Sequence, residues 1–121
     1  MCSSDLGVGE LSGKHFSHIK NHATRNGQVL QFDVSKEELW ALFLRQDRKC
    51  ALTGWPLEMR ERKSNLSMRT ASLDRIDGRR GYTIDNVWWV HKDVNVARWN
   101  IPVPRFIELC RAVVAKAGVS P

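Results

Sequence analysis

The side chains best suited to chemistry lie in one stretch, residues 71–95, with the sequence ASLDRIDGRRGYTIDNVWWVHKDVN. An apolar-alternating run over residues 71–76 predicts a strand that carries Asp74 near its end, and a β-branched and aromatic run after Asn86 predicts a second strand. Asn95 follows where a helical pattern begins. Two strands, their loop and the next helix would bring one carboxylate and two amides together. Such oxygen ligands suit a hard divalent cation such as Mg²⁺ better than zinc.

The net charge of the chain is +6, which favours a polyanionic partner. Seven basic residues fall in or beside the loop between the two predicted strands, with few acids among them: Arg60, Arg62, Lys63, Arg69, Arg75, Arg79 and Arg80. This placement predicts a nucleic acid as the partner, and an ordinary solvated basic face is the alternative.

Length and cysteine usage bound the class of protein. The 121 residues fit one domain with one modest core. We expect a disordered tail over residues 1–12 and a single domain over residues 13–121, with its centre at residues 49–100. No apolar run approaches the roughly 20 residues of a membrane span, and no signal-peptide pattern is present. Three widely spaced cysteines without a Cys-x-x-Cys pair indicate reduced thiols in the cytoplasm.

Periodicity and capping signals predict the flanking elements. Residues 13–26 form one predicted helix, and residues 29–34 alternate as a short strand. Ser35 and Glu38 make a capping box that starts a helix ending near residue 46. A short helix is predicted over residues 94–100.

A last predicted helix has Pro104 in its first turn and Gly118 as its stop. Its apolar residues are expected to be buried, and Cys110 among them is expected to pack in the core. They are Phe106, Ile107, Leu109, Cys110, Val113 and Val114.

Three histidines, His15, His18 and His22, fall on one stripe of the first predicted helix. Such a stripe could bind a metal ion. We interpret it as a solvated polar face instead, because no carboxylate or cysteine lies nearby in sequence to complete a metal site.

Taken together, the motifs resemble the small HNH endonucleases of phages and mobile elements. The resemblance covers residues 50–100 and is carried by CALTGWPL at 50–57, SLDRID at 72–77, Gly81-Tyr82, NVWWV at 86–90 and Asn95. It implies an α+β fold in which a ββα-metal centre packs against flanking N- and C-terminal helices. It also implies metal-dependent hydrolysis of DNA phosphodiesters by nicking, in the cytoplasm of a bacterial host.

By this resemblance, Asp74 and Asn95 bind the metal, and Asn86 braces the loop between the strands. The expected ion is Mg²⁺, with Mn²⁺ as an alternative. Double-stranded DNA is the expected partner, and we expect neither a membrane nor an obligate protein partner. The residues expected to contact DNA are Arg69, Arg75, Arg79, Arg80 and Lys92.

One position departs from the family pattern, because Arg75 stands where the family has its water-activating histidine. A guanidinium stays protonated and cannot act as a base, although it can bind phosphate. Three explanations stay open. His91 could be the substitute base, the ion alone could activate water, or the chain could be an impaired HNH-like module that only binds DNA. An RNA-binding accessory domain is a further alternative, supported by charge alone.

His91 also has a second interpretation. In zinc-containing relatives, cysteine pairs flank the hairpin, and Cys50 and His91 fall at one position of each pair. Their partners here would be Thr53 and Val94, and Val94 cannot bind metal. We therefore expect no structural zinc, with packing by Trp55, Trp88 and Trp89 in its place.

Overall fold

The computed structural model describes residues 7–23, 31–60 and 69–118. Helices and strands are mixed within them, which confirms an α+β class. In chain order the elements are α1 (Gly13–Ala23), β1 (Phe32–Asp33), α2 (Lys36–Arg45), β2 (Ala71–Arg75), β3 (Tyr82–Thr83), β4 (Val87–His91), α3 (Lys92–Arg98) and α4 (Val103–Ala117).

Strands β2 and β4 form an antiparallel pair that lies at the centre of the fold. Ala71 is opposite His91 and Arg75 is opposite Val87, so both strands predicted from the sequence are confirmed. Helix α3 follows directly and packs against both strands. It starts two residues earlier than predicted, since His91 Nδ1 caps it by accepting a hydrogen bond from the Asp93 amide at 3.1 Å.

A second, parallel pair joins β1 to β3, with Phe32 opposite Tyr82. The sequence predicted a strand over residues 29–34, of which 29 and 30 lie outside the described residues, and it did not predict β3. Residues 61–68, which precede β2 in the chain, also lie outside the described residues.

The core is centred on Trp89, whose side chain is fully buried. Its indole nitrogen donates to the Leu39 carbonyl of α2 at 2.9 Å, and its ring meets Phe43 edge-on at 6.0 Å. The capping box of Ser35 and Glu38 that begins α2 is confirmed. Trp88 is only partly buried, as expected of adjacent residues on a strand.

The side chain of Gln46 bonds to the backbone of β4 in the way that a neighbouring strand would. Its oxygen accepts a hydrogen bond from the Trp89 amide, and its nitrogen donates to the Trp89 carbonyl, both at 2.9 Å. The same nitrogen also donates to the carbonyl of Lys49. One amide side chain thereby fixes β4 against the end of α2.

Two sequence expectations are wrong. Residues 7–12 were assigned to a disordered tail, but Leu11 is fully buried in the core and Glu10 pairs with Arg48 at 2.9 Å. Residues 1–6 lie outside the described residues.

The expectation that α4 buries its apolar residues is also wrong, since none of its residues is buried and Cys110 is exposed. Periodicity identifies the apolar side of a helix but not the surface that would cover it. The predicted limits of α4 are confirmed: Pro104 lies in the first turn, and Gly118 ends the helix in the left-handed conformation with φ of 75°.

No helix among the described residues is both long enough and apolar enough to cross a lipid bilayer.

The structure predicts that Gln46→Ala destabilises the fold by about 1–3 kcal/mol, because the Trp89 amide loses its acceptor. Urea unfolding should show a lower midpoint with an unchanged slope. The neighbouring exposed change Arg45→Gln should stay within about 0.5 kcal/mol of the parent. Equal stabilities for Gln46→Ala and the parent would show that this amide does not hold β4.

Candidate functional site

A cleft of about 490 Å³ is lined by residues of α1, β2 and α3. Asp74 and Asn95, the two predicted metal ligands, both line it. Three of the predicted DNA-contacting residues, Arg69, Arg75 and Lys92, line it as well. The structure therefore brings one carboxylate, one amide and three basic side chains to one surface.

Asp74 is held rigidly at the wall of this cleft and is only 8% exposed. Its Oδ2 accepts a hydrogen bond from Arg98 Nη2 at 2.5 Å and another from Trp88 Nε1 at 3.0 Å. Trp88 lies directly opposite Asp74 in the strand register, which places the two side chains on one face of the hairpin. Both bonds use Oδ2, so Oδ1 is the oxygen that could meet a cation.

Arg98, which the sequence did not single out, is the buried partner of this carboxylate and is 3% exposed. Its Nη2 also donates to the Arg75 carbonyl at 2.6 Å, and its Nη1 donates to the Ile101 carbonyl at 2.9 Å. Its Nε has no partner among the described residues. The sequence spacing could have identified Arg98, since it follows Asn95 by three residues and so shares its helix face.

Asn95 is oriented by Ser72 of β2. Its Nδ2 donates to Ser72 Oγ at 2.7 Å, which leaves the amide oxygen as the candidate metal ligand. Ser72 therefore positions Asn95 as Arg98 and Trp88 position Asp74.

The donor set fits Mg²⁺ better than zinc. Within residues 7–23, 31–60 and 69–118, no three His, Cys, Asp or Glu side chains lie close enough together to hold an ion. A closed zinc site needs such a group. Mg²⁺ is commonly bound through one or two carboxylates, with water and phosphate oxygens completing its shell. Asp74 and Asn95 could hold it in that open manner.

The loop between β2 and β3 is braced by Asn86, which is 1% exposed. Its Oδ1 accepts from the Asp77 amide at 3.0 Å, and its Nδ2 donates to the carbonyls of Asp77 at 3.1 Å and Gly81 at 2.9 Å. Asp77 in turn accepts a bond from the Arg79 amide at 3.0 Å.

Arg75 serves the same loop. Its Nη1 donates to the carbonyls of Gly78 at 2.7 Å and Arg80 at 3.0 Å, and its guanidinium lies 5.4 Å from the centre of the Tyr82 ring. Nη1 of Arg75 is therefore committed to the loop, and the expected phosphate contact would have to use the rest of the guanidinium. It still contributes positive charge to the cleft wall.

The remaining predicted DNA contacts, Arg79 and Arg80, are not in the lining of this cleft. Arg79 pairs with Asp77 at 3.1 Å, and Arg80 pairs with Asp85 at 2.9 Å. The hydrogen bond from the Arg79 side chain is the main reason that the pKa of Asp77 is lowered. Both arginines carry their charge on the loop surface.

His91 does not reach the cleft, so the structure does not support it as the water-activating base. It lies three residues beyond Trp88, which is opposite Asp74. Three residues correspond to about 10 Å along a strand and place the side chains on opposite faces. The imidazole instead meets Trp55 edge-on at 5.5 Å and caps α3.

Cys50 is the other residue of the zinc interpretation of His91. Cys50 is buried, and its sulfur accepts hydrogen bonds from the amides of Leu52 and Thr53. Burial acts to raise the pKa of this thiol, but bonds from the Thr53 side chain and the His91 backbone outweigh it and lower the pKa.

The histidine stripe of α1 lines the cleft, which the sequence did not predict. His18 and His22 are exposed, whereas His15 is 6% exposed, and all three border the same space as Asp74 and Asn95. The expectation of a solvated face is therefore wrong for His15, which packs edge-on against Trp89 at 6.0 Å. Burial first, and then the charges of Arg69 and His18, lower its pKa from 6.5 to about 4.

No protein-family model matches the chain, and no curated protein or solved structure is significantly similar to it.

Arg98→Met should destabilise the fold by about 3–5 kcal/mol, because it leaves the Asp74 carboxylate buried without its cation. The double variant Asp74→Leu/Arg98→Met should be more stable than Arg98→Met, since both charges are then removed. Arg111→Met on the exposed side of α4 is the matched control and should change stability by less than about 0.5 kcal/mol. Chemical unfolding measures all three, and an Arg98→Met variant as stable as its control would contradict the buried pair.

The depressed pKa of His15 predicts a loss of stability in acid. Between pH 6.5 and about 4 the unfolded chain takes up a proton that folded His15 does not. Its contribution is therefore complete above pH 6.5 and is lost as the pH falls through this window, by up to about 3 kcal/mol. Unfolding free energies of the parent and His15→Gln should converge by this amount between pH 7.5 and pH 4, and parallel pH profiles would contradict the assignment.

Proposed function

We propose that this chain is a metal-dependent endonuclease that nicks double-stranded DNA from a ββα-metal centre formed by β2, β4 and α3. The observation that carries the proposal is that Asp74 and Asn95 line one cleft together with the basic residues Arg69 and Lys92. Charge of this kind attracts the DNA backbone, and the two oxygen ligands would meet the phosphate in the same space.

Each side chain then has a definite task. Asp74 and Asn95 would hold the ion, with Arg98 and Ser72 fixing their orientations. When bound, a divalent cation supplies polarisation of the scissile phosphate and offsets the negative charge of the transition state.

The basic residues and the loop complete the binding surface. Arg69 and Lys92 would hold the phosphates on either side of the scissile bond. Asn86 and Arg75 keep the loop at the end of β2 in place, so that the backbone next to Asp74 does not shift when DNA binds. Preorganisation of this kind is worth large factors in rate, because misplacement by about 1 Å can cost about 100-fold.

A second candidate is a DNA-binding module without cleavage. The contact that favours it is the 2.5 Å bond between Arg98 and Asp74, since the buried guanidinium already neutralises the carboxylate. An ion would have to bind beside this pair through Oδ1. The basic cleft would bind DNA in either case.

Nicking of supercoiled plasmid in Mg²⁺ or Mn²⁺ tests the proposal. Asp74→Asn is the sharpest variant, since the amide keeps an oxygen for Arg98 and Trp88 while the ligand charge is lost. We expect at least about 100-fold slower nicking, because a catalytic ion contributes several kcal/mol to transition-state stabilisation. The control Asp33→Asn makes the same chemical change at an exposed position of β1 and should nick at the parental rate.

The outcomes separate the two candidates. Tight DNA binding without nicking in Mg²⁺ and in Mn²⁺ would identify the binding module. Parental nicking by a folded Asp74→Asn protein would remove Asp74 from the mechanism.

A further inference from the structure

The cleft contains histidines that the proposed mechanism has not used. His15, His18 and His22 of α1 line the same cleft as Asp74 and Asn95. They come from the far end of the sequence, more than fifty residues before Asp74. A hydrolytic site needs a group that takes a proton from water, and imidazole is the side chain best suited to this near neutral pH.

Helix α1 is fixed firmly enough to hold these side chains in place. Ile19 and Ala23 of α1 are buried and join the core. Phe16 meets Phe32 of β1 edge-on at 5.8 Å, and the amide of His15 donates to Ser12 Oγ at 3.0 Å at the start of the helix. The backbone that carries the histidine stripe is thus anchored beside the cleft.

We propose that His18 is the water-activating base of this site, supplied by α1 in place of the hairpin position that Arg75 occupies. The inference rests on the proposed nuclease function. It assigns the proton transfer to a residue in a different element from the metal ligands.

His18 is preferred to its neighbours because of its position. It lines the cleft and also a second cavity of about 450 Å³, where Lys14, Arg60 and Arg69 are exposed or half-buried. His15, His18 and Arg69 form the wall that the two cavities share. A DNA backbone passing from one basic cavity to the other would place a phosphate beside Arg69 and His18.

The other two histidines of the stripe are less suited. His15 is buried, and its lowered pKa of about 4 makes it a weak proton acceptor. His22, one helical turn after His18, lines only the first cleft and not the second cavity.

Hydrolysis with His18 as the base needs no reagent other than water. The oxygen of a water molecule bonds to phosphorus while its proton passes to a ring nitrogen of neutral His18. The bond from phosphorus to the leaving sugar oxygen breaks, and that oxygen takes a proton from solvent. His18 then returns its proton to solvent.

The test is nicking by His18→Ala, His22→Ala and His91→Ala beside the parent and Asp74→Asn. General-base catalysis contributes about 10²–10⁴-fold, so His18→Ala should nick at least about 100-fold more slowly, while His91→Ala stays at the parental rate. Binding of a DNA duplex in Ca²⁺ should change by less than about threefold. Added imidazole should restore part of the nicking by His18→Ala but none by Asp74→Asn, and a purely structural role for His18 would give no such rescue.

Negative results for the His18 assignment and for the nuclease function can be told apart. If the parent nicks, Asp74→Asn does not, and His18→Ala remains within about threefold of the parent, the assignment of His18 is overturned and the nuclease stands. A large loss confined to His22→Ala would overturn it in favour of His22. A parent that nicks in no metal overturns the nuclease and the base together.

A second measurement does not depend on activity. Mn²⁺ alone, added in substoichiometric amounts to the folded protein, should broaden the imidazole NMR signal of His18 more strongly than that of His91, and Asn95→Ala should abolish the difference. Stronger broadening of His91 than of His18 would place the ion away from α1 and overturn the inference.

Discussion

The buried ion pair of Asp74 and Arg98 is the interaction on which the arrangement of the cleft depends. Transfer of both charges out of water is costly, and their attraction offsets that cost only when the geometry is good and the remaining donors are satisfied. Here Nη2 of Arg98 bonds to both Asp74 and the Arg75 carbonyl, and Nη1 bonds to the Ile101 carbonyl. One side chain therefore joins the end of β2, the end of α3 and the link to α4.

This pair also sets the position of Asn95. Because Asn95 precedes Arg98 by three residues on one helix, fixing Arg98 against β2 turns Asn95 towards the same strand, where Ser72 receives its amide. Under the proposed function, the carboxylate would have two physical roles that oppose each other. As a partner of Arg98 it is already neutralised, and as a metal ligand it would have to share its charge with a cation through its other oxygen. A smaller catalytic contribution from the ion would follow from this structural role.

The sequence predicted those elements whose signals are local. Alternation predicted β2 and β4, and the capping box of Ser35 and Glu38 predicted the start of α2. Prediction from sequence failed where tertiary packing decides which residues are buried. The burial of Leu11 and the exposure of α4 are set by which surfaces meet, and no local pattern contains that information.

The same reason explains which parts of the cleft could be predicted. Asp74 and Asn95 lie on neighbouring elements, so hairpin geometry alone brings them near each other. The histidines of α1 were discounted because no acidic residue is close to them in sequence, yet the packing of His15 on Trp89 brings that helix to the edge of β2. Arg75 illustrates the converse. From sequence it is a phosphate ligand in the place of a base, whereas in the structure its Nη1 is used by the loop carbonyls of Gly78 and Arg80.

A base supplied by α1 would remove the apparent defect at position 75 without any change in the hairpin. The guanidinium can brace the loop because the position need not also carry a proton-accepting ring, and a histidine there would lose the bonds to Gly78 and Arg80. Separate elements would then perform separate tasks. The hairpin and α3 would fix the ion, and α1 would approach the phosphate from its own side of the cleft. Under the proposed function, that division would let the proton acceptor and the cation come from different elements, with the attacking water between the imidazole and phosphorus.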